Sequence, residues 1–495
     1  MNKQKIFEKY LKCELNDYEF INALDNLQEK DRKADGVVYT PEYIVKKIIE
    51  LSNPKINESI IEPSCGHGAF IFELIHYISK KENLSGIELK LWFIDKVKGI
   101  DISQTTVNEL KEMLVFFFDK HYQVNSTPED FINIICGDSL YIPLSECDLA
   151  IGNPPYVRAR NLEESYLKRI KKDFKYCEKG NIDIYYAFIE RYQQLAKRLC
   201  FITPNSFLTN ISGKNLAYGI LADISLLIDF KDKIIFTGIR AYTCILELNK
   251  DKRSHQMLYS NDLDTKFKSV DPSILLTNFR ESKKELTIIA EIATLANSLY
   301  TVKKRDDNYY VLHENKEYPI EKAAIRPFLK ITKVKNNIVN IEDFIIFPYN
   351  KDFKIIPEQE YMDKFPLTYQ YLCAIRNRLD IRDKGKVDKY ESWYAYGRKQ
   401  GFYKGQFKKV ISIPKIVGES CLPQLVDVSN ISSEYNDILI TSGFLIPYDE
   451  TNASDLDKLL TQEFLNYVRT YGKVWPGKTE PYYAVSAKNI KQFLS

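Results

Sequence analysis

Between about Tyr39 and Leu248 the chain alternates two patterns of apolar and polar positions. Short apolar runs bounded by turn residues read as buried strands: "ESIIEPS", "INIICGDSL", "CDLAIGNPP", "RLCFITPNSF", "ADISLLIDF" and "TCILELN". Longer segments with apolar residues three and four apart read as amphipathic helices: "GAFIFELIHYIS", "TTVNELKEMLVFFF" and "IYYAFIERYQQLAK". "KLWFIDKVKGIDIS" reads as one more strand-like run. Such alternation predicts an α/β fold with a mostly parallel sheet covered by helices on both faces. Ligands then bind at the carboxyl ends of its strands.

Past "NKDKRSHQ" the periodicity weakens into short mixed segments, which places a linker near 250–275 and a less regular α+β domain after it. A chain of 495 residues exceeds one ordinary core. The expected division is an N-terminal helical extension over 1–35, an α/β domain over 36–255 and a second domain over 270–495.

Composition narrows the class without deciding it. With 44% hydrophobic and 28% charged residues the chain is globular. No apolar stretch approaches the roughly twenty residues that a membrane-spanning helix needs. The N-terminal "MNKQKIFEKYLKCELNDYEF" is a charged amphipathic helix pattern rather than an export signal, so a cytoplasmic location is expected. Nine cysteines lie scattered, without Cys-x-x-Cys or His-rich spacing. That predicts buried thiols, no disulfide framework and no metal site. A net charge of +3 says little about nucleic acid, but basic clusters occur in "KKDFKY", "KITKVKN" and "GRKQGFYKGQFKK", the last interleaved with aromatics. Solvated faces explain most such runs.

Candidate chemistry gathers at predicted strand ends. "IIEPSCGHGAF" is a strand, a tight turn and a helix start near Gly68. Gly66 and Gly68 allow a sharp turn close to a ligand, and the helix start favours an anion. The spacing matches neither a dinucleotide fingerprint nor a phosphate loop. Asp101 in "GIDIS" and Asp138 in "CGDSL" end the next two runs. Each fits a turn former or helix N-cap. Three successive strand ends carrying Glu62, Asp101 and Asp138 also fit one adenosine-bearing ligand across the sheet edge, with Asp101 on the ribose hydroxyls. Thr40 and Pro41 in "VVYTPEYIVKKIIE" read as an N-cap and first helical residue, with the Thr40 hydroxyl available to the same ligand.

The fourth strand ends in Gly152-Asn153-Pro154-Pro155-Tyr156. Prolines fix the backbone, so an amide, a carbonyl and a ring are preset in space. An aromatic amine is a poor nucleophile because its lone pair is delocalised into the ring. The Asn153 amide oxygen and the Pro154 carbonyl, aimed at its two N–H bonds, would localise that pair, while Tyr156 stacks on the ring face. A plain Pro-Pro turn is the alternative, and it leaves the neighbouring acids unexplained.

In order, "TPEYIV", "EPSCGHGAF", "GIDIS", "GDSL", "GNPPYVR" and "FITPNSFL" resemble the motifs of gamma-type, TaqI-like N6-adenine DNA methyltransferases of restriction-modification systems. The resemblance runs from about 36 to 250. It implies a Rossmann-like S-adenosylmethionine-dependent domain followed by a mixed α+β DNA-recognition domain. Thr40, Glu62 and Gly66 would hold the methionine end of S-adenosyl-L-methionine, Asp101 the ribose and Asp138 the adenine. Tyr39, Ser64, Ile102, Ser139 and Asn153 would also lie at the cofactor. Asn153, Pro154, Pro155 and Tyr156 would grip an adenine flipped from duplex DNA. The family's second stacking aromatic falls best on Phe236, with Tyr242 nearby and a core role for Phe236 as the alternative.

The same resemblance implies double-stranded DNA as partner and allows a separate cognate restriction endonuclease beside it; a monomer is expected. Phosphate or base contacts are expected from Arg158, Arg398, Lys399, Gln400 and Lys404, since Arg pairs with guanine and Gln with adenine in the major groove. Two other readings share the motif: a protein glutamine methyltransferase, whose substrate amide presents the same planar NH₂, and a non-catalytic DNA-binding subunit. The large aromatic and basic C-terminal half favours DNA over the first. An intact Asn-Pro-Pro-Tyr speaks against the second. RNA remains a third possible substrate.

Overall fold

A computed structural model describes residues 3–27, 40–231, 233–236, 241–251, 256–279, 285–334, 343–382, 390–398, 401–403, 405, 407–418, 422–429, 439–475 and 482–494. Its contacts divide the chain into two compact units, Met1–Phe279 and Arg280–Ser495.

In the first unit, among the described residues, β1 (Ile60–Glu62), β2 (Val97–Asp101), β3 (Ile134–Cys136), β4 (Cys147–Gly152), β5 (Ala196–Pro204), β6 (Ile224–Asp229), β7 (Thr243–Asn249), β8 (Met257–Ser260) and β9 (Lys268–Val270) form one sheet. Its order is β3-β2-β1-β4-β5-β7-β6-β8-β9. The strands from β3 to β5 are parallel, and β7 runs antiparallel between β5 and β6. This is a Rossmann-like sheet. Chain order reverses between β1 and β4, which is where such folds open a crevice beyond the strand ends.

Period-2 burial along the strands separates two apolar layers. Ile60, Val97, Leu149, Ile151, Cys200 and Ile202 face one; Ile61, Ile100, Ala150, Leu199 and Phe201 face the other. The first layer is covered by α4 (Ala69–Lys81) and α6 (Gln104–Tyr122), which bury Phe72, Ile75, Leu110, Leu114 and Phe117 at helical spacing. On the second lies α8 (Tyr185–Leu195), with Tyr185, Phe188, Ile189 and Tyr192 turned inward. Helices α1 (Lys3–Leu11) and α2 (Asp17–Leu27) contribute Ile6, Tyr10, Phe20 and Ile21 to the first layer, so the N-terminal segment is part of this core rather than an appendage.

Two sequence expectations need correction. "KLWFIDK" is not strand: it lies in α5 (Gly86–Lys96), and only Val97–Asp101 pairs in the sheet. Ser85 accepts from the Glu88 N–H at 3.3 Å, and the Glu88 carboxylate accepts from the Ser85 N–H at 2.8 Å. That capping box starts the helix, with Leu89, Trp92 and Phe93 on its buried face. The expected linker at 250–275 contains β8 and β9, which extend the sheet by pairing with β6 and with each other. Their short mixed pattern hides them, since neither carries a long continuous apolar run.

The second unit is built from small sheets. β10 (Ile289–Ala290), β16 (Lys409–Pro414), β18 (Gln424–Asp427) and β20 (Gly443–Tyr448) make one. β11 (Thr301–Arg305), β12 (Asn308–His313), β13 (Lys316–Ile320), β14 (Ile325–Lys330), β15 (Phe344–Ile346) and β19 (Leu439–Thr441) make a second. β17 (Ile416–Val417), β21 (Lys473–Trp475) and β22 (Tyr482–Ala484) make a third. The unit is mixed α+β, with helices at Glu358–Lys364, Pro366–Ala374 and Gln462–Tyr471. Among the described residues no helix is long and apolar enough to cross a membrane.

Candidate active site

Strand β1 ends at Glu62, and the turn that follows shows why glycine stands at two positions. Gly68, the residue before α4, has φ +83, and a Cβ there would lie 2.5 Å from Leu110 Cδ1. Gly66 has φ +50, and no heavy atom lies within 4 Å of where its Cβ would stand. Gly66 therefore lines open space, not packing. Its N–H donates to Asp101 Oδ2 at 3.1 Å, and the Ser103 N–H donates to Oδ1 at 2.9 Å. Asp101 thus ties the ends of β1 and β2 together while presenting its carboxylate at the sheet edge. Ile102, immediately after it, is 74% exposed, an open apolar surface beside that carboxylate.

Glu62 is buried, and its Oε2 has no hydrogen-bond partner among the described residues. Burial and the nearby Asp101 charge push its pKa well above the ordinary carboxylate value. A cation brought to this carboxylate would reverse both effects. Asp138, two residues beyond β3, accepts from the Leu140 N–H at 3.0 Å and from the Tyr166 hydroxyl at 2.8 Å. Tyr166 sits on α7 (Glu164–Asp173), and nothing in the sequence pattern pointed to it. Ser139 is buried; its carbonyl accepts from Arg191 Nε at 2.9 Å and from the Tyr192 hydroxyl at 3.2 Å, a structural role for its backbone.

At the end of β4, Gly152 has φ +146, and a Cβ there would come within 3.3 Å of Glu62 Cγ. The close approach of the two strand ends requires glycine. Asn153 follows, and two contacts orient it. Its Nδ2 donates to Thr40 Oγ1 at 3.0 Å, and its backbone carbonyl accepts from Ser64 Oγ at 3.0 Å. The amide oxygen is thereby directed away from Thr40. Thr40 is not the expected N-cap: helix α3 (Glu42–Ser52) is preceded by Pro41 in an extended conformation, without a side-chain cap. The threonine hydroxyl, one residue further out, holds the Asn153 amide instead.

The Tyr156 hydroxyl donates to the Ile202 carbonyl at 3.2 Å, which fixes the ring over the end of β5. Burial pushes that phenol far above its ordinary pKa, so Tyr156 is a neutral plate. Its ring centroid lies 6.2 Å from Phe236 and 6.3 Å from Tyr185, both edge-on, at 80° and 72°. Phe236 is 1% exposed within the apolar core. The two rings are adjacent but do not form a parallel slot.

Asp183, which sequence reading did not single out, pairs through its backbone with Arg158 in an isolated bridge. Burial raises its carboxyl pKa to about 7, against the opposing pull of Arg158 and of neighbouring backbone N–H groups. Arg158 and Arg398 have exposed side chains, and Arg398 joins its chain to Ala293 by a backbone hydrogen bond of 3.0 Å. Tyr39, Lys399, Gln400 and Lys404 lie outside the described residues. Hydrogen bonds thus join Asn153 to Thr40 and Ser64, and Gly66 to Asp101, while Glu62 ends the strand between β2 and β4 and Asp138 follows the end of β3.

Residues 85–236 match the family model described as Eco57I restriction-modification methylase. The type II restriction enzyme and methyltransferase RM.Eco57I of Escherichia coli is 25% identical over 494 residues, covering 77% of this chain and 49% of that protein. The type II methyltransferase M.HincII of Haemophilus influenzae is 27% identical over 234 residues, covering 46% of this chain and 39% of that protein. The chain therefore spans half or less of the length of these two relatives. Among solved structures, the type IIL restriction-modification enzyme MmeI in complex with DNA superposes with a TM-score of 0.56 at 12% identity, covering 97% of this chain and 69% of that one, a likeness of fold. On the matched region and the sheet that carries it, this chain contains an Eco57I-type restriction-modification methylase domain.

Proposed function

We propose that the protein is a gamma-type DNA methyltransferase that transfers a methyl group from S-adenosyl-L-methionine to N6 of an adenine flipped out of duplex DNA, as the modification activity of a restriction-modification system. The observation that carries this reading is Asn153, whose side-chain Nδ2 donates to Thr40 and whose backbone carbonyl accepts from Ser64, so that Oδ1 is turned away from Thr40, three residues before the neutral Tyr156 ring.

The residues at the strand ends fit the cofactor. Glu62 offers a buried carboxylate with an oxygen left without a hydrogen bond, suited to an ammonium group, and Gly66 leaves room beside it. Asp101 suits ribose hydroxyls, Ile102 an apolar face of the base, and Asp138 the adenine amine. S-adenosylmethionine supplies a methyl group on a positively charged sulfur.

The chain's own residues make the amine reactive. Asn153 Oδ1 and the Pro154 carbonyl accept the two N–H bonds, which draws the lone pair out of conjugation and toward the methyl. No ionised base is needed, because the proton leaves after the amine has become cationic. Positioning supplies much of the rate. Tyr156 stacks on the base, and a base seated there displaces the Phe236 ring from its edge-on contact. Extrusion of a paired base costs a few kcal/mol, offset by stacking and by contacts to phosphate. Arg158 and the second unit provide cations for those contacts, so binding weakens steeply with salt.

The test uses unmethylated duplex DNA and methyl-labelled S-adenosylmethionine, with the product digested to nucleosides for mass spectrometry. N6-methyladenine is expected, and Asn153→Ala is expected to abolish it while cofactor binding persists. Label on cytosine, on protein glutamine or on RNA alone would overturn the reading.

A further inference from the structure

We propose that Asp17, His76 and His121 form a binding site for a divalent transition metal of the zinc class, which fastens the N-terminal helix pair to the methylase core. The three residues come from separate helices: the first residue of α2, the middle of α4 and the last turn of α6. Their ligating atoms lie within 4.8 Å of one another. His76 Nε2 is 2.7 Å from Asp17 Oδ2, and His121 Nε2 is 2.9 Å from Asp17 Oδ1.

Two imidazole nitrogens and one carboxylate are the donors that zinc and cobalt(II) favour, whereas calcium and magnesium prefer all-oxygen sets. The surroundings match those of a metal-binding histidine. His76 Nδ1 is 3.1 Å from the Tyr122 hydroxyl, so the second ring nitrogen already has the partner that fixes a ligating tautomer. Moving the His76 proton from Nε2 to Nδ1 frees Nε2 for the ion without changing the ring's charge. Phe117 packs against both imidazoles at 4.9 Å, and the Tyr10 hydroxyl, 2.6 Å from Asp17 Oδ1, closes another side. Lys120, the sequence neighbour of His121, is turned onto the Tyr10 ring and the Leu15 carbonyl. Side-chain exposures of 12% for Asp17, 23% for His76 and 29% for His121 leave a path for an ion without unfolding. His76 stands eight residues beyond Gly68, about 12 Å along the helix, so the site is distinct from the strand-end pocket.

Sequence spacing could not reveal it, because the three ligands are separated by 59 and 45 positions (76 − 17 and 121 − 76). Bound metal would link α2 to α4 and α6 in the folded state only, and so raise stability.

The test uses the untagged full chain, stripped with EDTA and titrated with Co²⁺. One Co²⁺ per chain is expected, with visible d–d absorption that Zn²⁺ displaces, and Zn²⁺ should raise the melting temperature by at least about 3 °C. The double variant His76→Gln/His121→Gln should lose both responses while keeping its circular dichroism and S-adenosylmethionine binding. If that variant does not fold, Asp17→Asn should bind Co²⁺ at least about tenfold more weakly. Absence of Co²⁺ uptake by the wild-type chain, or equal uptake by the variants, overturns the proposal. Neither outcome bears on methyl transfer, which is read separately.

Discussion

At the carboxyl edge of the first unit's sheet, Glu62 is buried with one oxygen lacking a hydrogen bond among the described residues, whereas in the second unit Arg382, buried to the same degree, has a partner on every nitrogen. The Arg382 guanidinium donates to the carbonyls of Thr294, Leu379, Trp393 and Ala395 and to the Tyr300 hydroxyl, at 2.7–3.2 Å. Around it the hydroxyls of Tyr300, Tyr371, Tyr394 and Tyr396 each reach a backbone carbonyl. A buried charge with every nitrogen engaged is a brace. A buried acid with capacity to spare destabilises the fold and persists where a ligand completes it. The contrast separates the polar groups that build this protein from those that act for it.

The sharpest way to break that distinction is at Asn153. If its amide is a working acceptor, Asn153→Ala should lower the methylation rate about 10³-fold, near 4 kcal/mol of transition-state stabilisation, and leave the melting temperature almost unchanged. Single-turnover assays with equilibrium cofactor binding measure both. Loss of stability without loss of rate would move Asn153 to the structural side.

Arg382→Met should do the reverse. Removing the guanidinium takes one donor from each of four carbonyls and from the Tyr300 hydroxyl inside a tyrosine-rich core, a loss of about 3 kcal/mol. Hydrogen exchange should then accelerate over 294–300 and 390–398, while the protection of β1 and β4 is kept. Unchanged exchange around Tyr300 would show that the guanidinium braces nothing.

Legibility follows the same line between the units. The parallel strands β1 to β5 were readable because both faces are covered, which forces unbroken apolar runs, and each run ended in a residue with distinctive chemistry: Glu62, Asp101, Asn153. β8 and β9 were not, because they show only four and three residues of mixed pattern. Thr40 reads in the sequence as a helix cap and as a cofactor contact; the cap falls to Pro41, and the bond of the Thr40 hydroxyl to Asn153, across 113 positions of sequence, has no local signal. Asp183, Tyr166 and the Asp17–His76–His121 group depend on tertiary approach alone, and no periodicity encodes that. The second unit's tyrosines looked like general aromatic enrichment until the carbonyls they reach were visible.

Asp183 tests the comparison by pH. Its carboxyl is raised from 3.8 to about 7, so the folded state holds a proton that the unfolded chain releases. The sign follows: stability is full below pH 4 for this group, falls as pH rises from about 4 to about 7, and is level above. A shift of that size sets an upper bound near 4 kcal/mol, and relaxation around a half-buried group reduces it to about 2 kcal/mol. Asp183→Asn should therefore be more stable than wild type at pH 8 by about that amount and equal to it near pH 4, in urea denaturation at both values. A variant less stable at pH 8 would mean that Asp183 is ionised and held by Arg158.

The smallest effect is expected at Thr40, and it separates positioning from catalysis. Thr40→Val keeps the shape but removes the oxygen that accepts from Asn153 Nδ2, so the amide loses the contact that sets its direction. Asn153 would still be present, its backbone carbonyl still held by Ser64. The amide would then sample rotations that turn its oxygen away from the target amine. A net hydrogen bond of about 1 kcal/mol corresponds to a five- to tenfold lower kcat, with KM for DNA little changed. Thr40→Ser restores the oxygen and should recover most of the rate. If valine instead raised KM for S-adenosylmethionine and left kcat intact, Thr40 would be a cofactor contact, and the orientation of Asn153 would have to come from Ser64 and the two prolines alone.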